Sequence, residues 1–250
     1  LPFSLKLYEL PLSSAPKNDG LLLTTGKGFV AYANLFVQRP AERLPDSDIE
    51  LRISELSRAK NHYLRARNYL LAGLEIRYPG FRKLFAAGQT SEIIALVDSS
   101  SIDYLFWLGA SSLGALTTDP LDIELLITSP YAIALIEQVT TWDDSYQSGS
   151  AHEILLSYYG STMTQSNNGI QRVERHFAHA VAAADGARAG PYVAMAGIAI
   201  KMQDQEHFRD LLIKALNVEL EEPRFRLQNV LDQQYAQWLL DHMEDFFVEL

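Results

Sequence analysis

The sequence predicts an all-α protein built from stacked helical hairpins. Apolar or small residues recur at offsets of four and three in three segments, and a partner pattern at offsets of three, four and seven recurs in two others. Alternating β-branched runs that would indicate strands are almost absent. A helical hairpin cannot bury its apolar face alone, so such units stack on their neighbours, as in tetratricopeptide repeats. The first pattern comprises Ala132, Ile136 and Val139; Val173, Phe177 and Ala180; and Phe208, Leu212 and Ala215, and the second Ala151, Ile154, Leu155 and Tyr158; and Val193, Ala196, Gly197 and Ile200.

The first half of the chain is predicted to contain one flanking helix and two hairpins. The flanking helix covers about 1–12 and ends near Pro11, and the first hairpin, 21–77, includes a helix of about 30 residues from Asp46 onward. Tyr78-Pro79-Gly80 stops that helix, because proline and glycine both favour its termination. The second hairpin, 102–142, pairs a small-residue-rich helix with a helix over 131–142.

The second half is predicted to contain two further hairpins and a cap. The hairpins cover about 151–184 and 191–218, and a capping helix covers about 225–248. Positions 132 and 173 are 41 residues apart, whereas 173 and 208 are 35 apart, so the roughly four repeats are degenerate. We expect one domain over 1–250, with packing as a helical bundle as the alternative to a repeat stack.

Composition excludes several classes of protein. With 48% hydrophobic residues among 250, the chain can bury a large core. Its formal net charge of −10, from 21 basic and 31 acidic residues, argues against nucleic acid and anionic membranes as partners. The absence of cysteine excludes disulfides and thiolate zinc sites. No uninterrupted apolar run reaches the roughly 20 residues of a membrane-spanning helix.

Candidate catalytic and metal-binding residues do not form a convincing set. His176 and His179 are three residues apart on a helix, but no third ligand is evident, so we interpret them as packing or surface residues. The segment 24–28 lacks the spacing of a phosphate-binding loop. Nothing fixes Asp143, Asp144 or Asp241 at a productive separation for acid–base chemistry. We therefore expect no catalytic residue, no metal and no cofactor.

Two groups of residues are candidates for binding. Arg65, Arg67 and Tyr69 lie mid-helix, where a guanidinium can pair with a ligand carboxylate. An internal ion pair with one of the many acidic residues is the alternative. A second group consists of aromatic residues beside small ones, which can line a groove or pore for an apolar ligand or simply fill the core. Its members are Tyr104, Phe106, Trp107, Tyr131, Tyr158 and Tyr159.

Several motifs, in order along almost the whole chain, resemble one known family. KNHYLRARNY at 60–69 and LEIRYPGF at 74–81 resemble the central signature of the TRAP transporter T-component family. The tryptophan-containing LFWLGA at 105–110 and HFAHAV at 176–181 resemble two further segments of that family. The tail over 226–240, from RLQN to WLL, is similar as well.

This resemblance implies a fold and a role. The family consists of tetratricopeptide-like periplasmic proteins that pair with the solute-binding P component of TRAP-type uptake systems. It also implies a homotrimer with hydrophobic pores and a lipid anchor on a cysteine just upstream of the mature domain. This sequence contains no such cysteine, so we expect anchoring only in the full-length precursor.

We therefore expect a non-enzymatic, periplasmic accessory subunit. It would dock the P component and pass a small hydrophobic organic acid through an apolar pore. A generic tetratricopeptide adaptor, gripping a peptide in its concave groove, is the main alternative. An all-helical hydrolase or metal enzyme is a third, although the sequence lacks a nucleophile–base pair and a ligand cluster.

Overall fold

The protein is helical throughout the part of the chain that the structure describes. The computed structural model describes residues 2–162 and 167–247; it is 82% helical, and these residues form no strand. The predicted all-α helical-repeat fold is therefore confirmed. The chain divides into two compact units, Leu1–Trp142 and Asp143–Leu250. The assignment of 1–250 to a single domain stays a prediction.

The N-terminal unit is a succession of helices in which consecutive long helices pack together. Helix α2 packs on α4, α4 on α7, and α7 on α8. A π-helical turn, Asn34–Gln38, follows α2, and 3₁₀ turns precede α4 and α7. The helices are α1 Pro2–Ser14, α2 Asp19–Ala33, α3 Arg39–Glu42, α4 Ile49–Arg77, α5 Phe81–Ala86, α6 Thr90–Leu96, α7 Ile102–Thr118 and α8 Ile123–Trp142.

The residues at the repeated offsets form the core of this unit, as predicted. Ala132, Ile136 and Val139 on α8 are fully buried. Gly26 on α2 lies directly against Leu70 on α4. A Cβ atom at position 26 would lie only 2.7 Å from the Leu70 side chain, so only glycine allows the two helices to approach this closely. The small residues in the pattern therefore set the distance between α2 and α4.

Several helix boundaries in the N-terminal unit differ from the prediction. Pro11 lies inside α1, which runs on to Ser14, and the buried Leu12 packs that last turn. The sequence pattern identified no helix directly after Gly80. Helix α5 nevertheless begins there, because the carboxylate of Glu75 accepts hydrogen bonds from the backbone N–H groups of Gly80 and Arg82, both at 2.9 Å.

Helix α8 is longer than predicted because it continues through Pro130. Proline leaves the carbonyl four residues earlier, that of Leu126, without its usual N–H donor. The hydroxyl of Ser129 donates to that carbonyl at 2.9 Å instead. With 20 residues, α8 is long and apolar enough to cross a membrane by length and composition alone. Core helices of soluble proteins meet the same criterion, and the Ala132–Val139 face of α8 is buried against the rest of the unit.

Replacing Ser129 with alanine is expected to lower the free energy of unfolding by about 0.5–1.5 kcal/mol, because the Leu126 carbonyl loses its donor. The control is Ser157→Ala, since the Ser157 hydroxyl donates to a carbonyl in a helix without a proline. That substitution should change the free energy by less than about 0.5 kcal/mol. Urea unfolding of both variants checks this, and equal losses would contradict it.

The C-terminal unit contains the remaining hairpins. Helix α9 packs on α10, α11 on α12, and α12 on α13. Phe208, Leu212 and Ala215 are fully buried, as their spacing predicted. The helices are α9 Tyr146–Thr162, α10 Asn167–Ala182, α11 Gly190–Met202, α12 Gln205–Leu216 and α13 Arg226–Asp241, and the 3₁₀ turn Met243–Asp245 follows.

Parts of the predicted pattern in this unit are wrong in detail. On α11, Val193 and Ala196 are buried, but Gly197 faces solvent and the buried positions continue at Ile198 and Ala199. This helix packs on α9, α10, α12 and α13, so its buried surface is wider than one stripe.

The predicted ends of other elements also differ. The capping helix, predicted over 225–248, ends at Asp241, where a 3₁₀ turn takes over. Residue 248 lies outside the described residues. So do residues 163–166, which fall within the predicted hairpin 151–184.

The start of α9 contains a left-handed turn that the sequence did not predict. Gln147, Ser148 and Gly149 all have positive φ angles, of 45°, 55° and 84°. The guanidinium of Arg188 donates to the Ser148 carbonyl at 3.0 Å. This turn separates Asp144 from the regular part of α9.

Candidate functional site

The aromatic candidates of the N-terminal unit lie mostly in its core. Tyr104 and Phe106 on α7 are buried, and the guanidinium of Arg77 lies 5.1 Å from the centre of the Tyr104 ring. Trp107 is half-buried and packs edge-on against Phe106, with ring centroids 5.1 Å apart. Its buried indole N–H finds no hydrogen-bond acceptor in residues 2–162 and 167–247. Trp107 is thus the one of these three with an exposed portion.

Tyr131, the fourth aromatic candidate of this unit, is half-buried on α8. A Cβ atom at Gly88 would lie 2.3 Å from the Tyr131 ring, so the ring packs directly on that glycine. This contact is of the core-filling type that the sequence left open as an alternative. A role for Tyr131 in lining a pore stays a prediction.

Tyr158 and Tyr159 lie in the C-terminal unit, on α9. Their rings meet edge to face at 5.4 Å, and Tyr159 stacks on His176 at 5.6 Å. The guanidinium of Arg172 lies 4.6 Å from the Tyr159 ring centre. The six aromatic candidates therefore form one set of four and another of two, in different units.

The polar candidates on α4 contact acidic side chains of their own unit. The Tyr69 hydroxyl donates to Glu9 at 2.6 Å, and Arg65 forms a salt bridge with the same carboxylate. Arg67 pairs with Glu124 at 3.5 Å. These contacts are the internal ion pairs weighed as the alternative, and a ligand carboxylate at Arg65 would compete with Glu9 for the guanidinium.

A cluster in the C-terminal unit brings together three histidines and one aspartate. Asp144 precedes α9, His152 lies on α9, and His176 and His179 lie on α10. The two oxygens of Asp144 contact His152 Nε2 at 3.0 Å and His179 Nδ1 at 2.8 Å. His152 Nδ1 lies 2.9 Å from His176 Nδ1. The carboxylate thus bridges two imidazoles, and the third supports one of them from behind.

Burial determines the charge state of this cluster. His152 and His176 are only 4% and 7% exposed. Burial lowers the pKa of His176 to about 4, and it also lowers the pKa of His152 despite the opposing hydrogen bond to Asp144. For Asp144, partial burial acts to raise the pKa, but the hydrogen bonds with His179 and His152 outweigh it, so the pKa is lowered. At neutral pH the aspartate is therefore ionised and the two buried imidazoles are neutral.

Sequence reasoning identified His176 and His179 but not their partners. Asp144 was considered only for acid–base chemistry, and His152 was not singled out. The left-handed turn at 147–149 brings Asp144 back towards α9, and no local pattern predicts such a turn. The pairing of α9 with α10 then brings His152 to the other two histidines.

An open cleft of about 420 Å³ lies along the first turns of α10, the helix that also carries His176 and His179. Asn168, Gln171, Arg172 and Arg175 line it. Within the described residues neither arginine forms a salt bridge, so the cleft is basic in an otherwise acidic protein.

Comparison with known proteins identifies the family. The model of the TRAP transporter T-component family matches residues 1–247. The chain belongs to this family. A protein of Treponema pallidum (strain Nichols), described only as an uncharacterized protein, is 30% identical over 254 aligned residues, which cover 100% of this chain and 79% of that protein.

As a T-component, the protein is an accessory component of a TRAP transporter. The family is not an enzyme class. Its helical fold is the one that the sequence motifs led us to expect. The resemblance drawn from those motifs is confirmed over almost the whole chain.

Proposed function

We propose that this T-component is a periplasmic, non-enzymatic subunit that docks the solute-binding P component of its TRAP system. A segment at the start of α8 supports the proposal. Leu121, Ile123 and Ile127 are 86%, 73% and 60% exposed, and Leu126 is exposed as well. Contiguous exposed aliphatic residues are typical of protein interaction sites. We call these four residues the α8 apolar segment.

Ion pairs hold the α8 apolar segment against the rest of its unit. Lys60 on α4 contacts the carboxylates of Asp119 and Asp122 at 2.8 and 2.5 Å. Asp122 also accepts a hydrogen bond from the backbone N–H of Leu125, which is buried. The exposed side chains therefore project from a fixed helix start, and such preorganisation lowers the entropic cost of docking.

The finer parts of the proposal rest on family membership and on the aromatic candidates. The subunit would act as a homotrimer, lipid-anchored in its full-length precursor, with an apolar pore that passes a small hydrophobic organic acid. The half-buried ring of Trp107 offers such a ligand an apolar surface.

A binding experiment with the purified P component tests the docking proposal. We expect the double substitution Leu121→Ser and Ile123→Ser to weaken the complex at least about tenfold, because docking would bury both side chains. The control is Leu227→Ser on α13. Leu227 is likewise an exposed aliphatic residue, at 63%, but it lies in the other unit. This control should leave the affinity unchanged.

Three outcomes would contradict the docking proposal. The first is the absence of any complex at high micromolar concentrations of both proteins. The second is a double variant that binds like the control. The third is a change of oligomeric state in light scattering with unchanged P-component affinity, which would assign the α8 apolar segment to contacts between copies. Binding of extended peptides instead would favour the adaptor alternative.

A further inference from the structure

Two imidazoles and a carboxylate from separate segments of the C-terminal unit converge on one point. One ligand atom each from Asp144, His152 and His179 can be chosen so that all three lie within 4.8 Å of one another. We propose that these three residues bind a divalent transition metal ion such as Zn²⁺. This site is independent of P-component docking.

The separations of the ligand atoms suit such an ion. Zinc binds histidine nitrogen and carboxylate oxygen at about 2.0–2.2 Å, so neighbouring ligands of a tetrahedral site lie about 3.3–3.6 Å apart. The Asp144 oxygens lie 3.0 Å from His152 Nε2 and 2.8 Å from His179 Nδ1. For the ion to enter, the two Asp144–histidine separations must widen by about half an ångström, and the widest separation in the set of three ligand atoms, up to 4.8 Å, must narrow.

His176 supplies the support that a metal-binding histidine requires. Such a histidine almost always donates its second ring N–H to a hydrogen-bond acceptor, which fixes the orientation of the ring. When His152 binds the ion through Nε2, its Nδ1 carries the proton and donates to His176 Nδ1, 2.9 Å away. Without the ion, His152 Nε2 donates to Asp144 and the two Nδ1 atoms exchange their roles. The hydrogen bond between His152 and His176 can therefore form both with and without the bound ion.

The exposure of the ligands leaves part of the coordination sphere open. The side chains of Asp144 and His179 are 63% and 43% exposed, whereas that of His152 is 5% exposed. One side of the ion would therefore face solvent, where water completes the coordination. Two imidazoles favour zinc and its transition-metal neighbours, while Ca²⁺ and Mg²⁺ prefer sets of oxygen ligands.

Titration of the complete chain, prepared without a histidine tag, tests the proposal directly. In competition with a chromophoric chelator we expect one Zn²⁺ to bind per chain, with a dissociation constant in the micromolar range or below. Excess Mg²⁺ or Ca²⁺ should not displace it. A chain that binds no Zn²⁺ under these conditions would overturn the proposal.

Substitutions then locate the ion. Asp144→Asn and His179→Gln each remove one ligand at a solvent-exposed position, and each should weaken Zn²⁺ binding by more than about tenfold. His176→Gln removes only the support of His152 and should weaken binding by about 10–100-fold. His207→Gln, on α12 and outside the cluster, is the control and should have no effect. Equal affinity in the control and in the ligand variants would assign the ion to another place and overturn the proposal.

A measurement on the unaltered chain avoids dependence on the folding of the variants. Paramagnetic Co²⁺ in place of Zn²⁺ should shift the ring-proton NMR signals of His152, His176 and His179. The signals of His62, His207 and His242 should stay in place. The opposite distribution of shifts would exclude the proposed site. No partner protein enters these experiments, so their failure is distinguishable from a failure of docking.

Discussion

Replacing Arg188 with methionine is expected to lower the free energy of unfolding of the C-terminal unit by about 3–5 kcal/mol. Arg188 lies in the connection between α10 and α11 and is only 3% exposed. Its guanidinium donates to Glu153 Oε2 at 2.6 Å and to the Ser148 carbonyl at 3.0 Å. Methionine fills a similar volume but leaves the Glu153 carboxylate, whose side chain is only 18% exposed, without this cation, and an uncompensated charge that is largely buried is costly.

The backbone around Arg188 is held as firmly as its side chain. Asn229 on α13 is 1% exposed, and its amide accepts from the N–H of Ala189 at 3.1 Å and donates to the carbonyl of Ala187 at 2.8 Å. The guanidinium is therefore presented from a fixed loop. The variant chain cannot easily relax around the lost ion pair, so the full cost should appear.

Hydrogen exchange of the amides in α9 and α11, together with urea unfolding, measures this loss. The control is Arg226→Met at the exposed start of α13, which should change the free energy by less than about 0.5 kcal/mol. Adding Glu153→Gln to Arg188→Met should recover about half of the loss, because it removes the uncompensated charge. A double variant no more stable than Arg188→Met would show that the ion pair is not the cause.

The helical-repeat fold could be predicted because its signal is local. Ala132, Ile136 and Val139 follow one another at helical spacing, and burying one face of a helix requires only that spacing. The same holds for the buried face of α12. Uneven repeat lengths do not obscure such patterns, since each helix contains its own set of regularly spaced apolar residues.

Helix boundaries could be predicted less well where two residues act together. Pro130 alone indicates a break, and α8 continues because the neighbouring Ser129 hydroxyl replaces the missing donor. Gly80 alone indicates an end, and a new helix follows because Glu75, five residues back, accepts from its N–H. A proline or glycine therefore predicts where the regular hydrogen bonding of a helix is interrupted, but it does not predict which side chain supplies the replacement hydrogen bond.

The candidate sites depend on contacts distant in sequence, which explains what was missed. The sequence left open whether Arg65 meets a ligand or an internal acid, and only the packing of α1 brings Glu9 to it. His176 and His179 were visible as a pair, but His152 joins them through the packing of α9 on α10. Asn229 belongs to the family-like tail, and its two loop hydrogen bonds give that resemblance a structural reason.

Gly149→Ala is expected to lower the free energy of unfolding by about 2–5 kcal/mol. Gly149 has a φ angle of 84°, where a side chain costs about 1–2 kcal/mol. A Cβ atom there would also lie 2.7 Å from the carbonyl oxygen and 2.9 Å from the Cα of Ala180. Both are backbone atoms of α10, so α9 and α10 would have to separate, and overpacking of this kind costs about 1–3 kcal/mol.

The same substitution at Gly197 should have the opposite sign. Gly197 lies inside α11 and is exposed, and a Cβ atom at this position would meet no other described atom within 4 Å. Alanine there removes backbone freedom from the unfolded chain and should stabilise the unit by about 0.5–1 kcal/mol. Urea unfolding of the two variants side by side measures the difference. Losses of similar size at both positions would mean that neither the left-handed turn nor the contact with Ala180 determines the effect at Gly149.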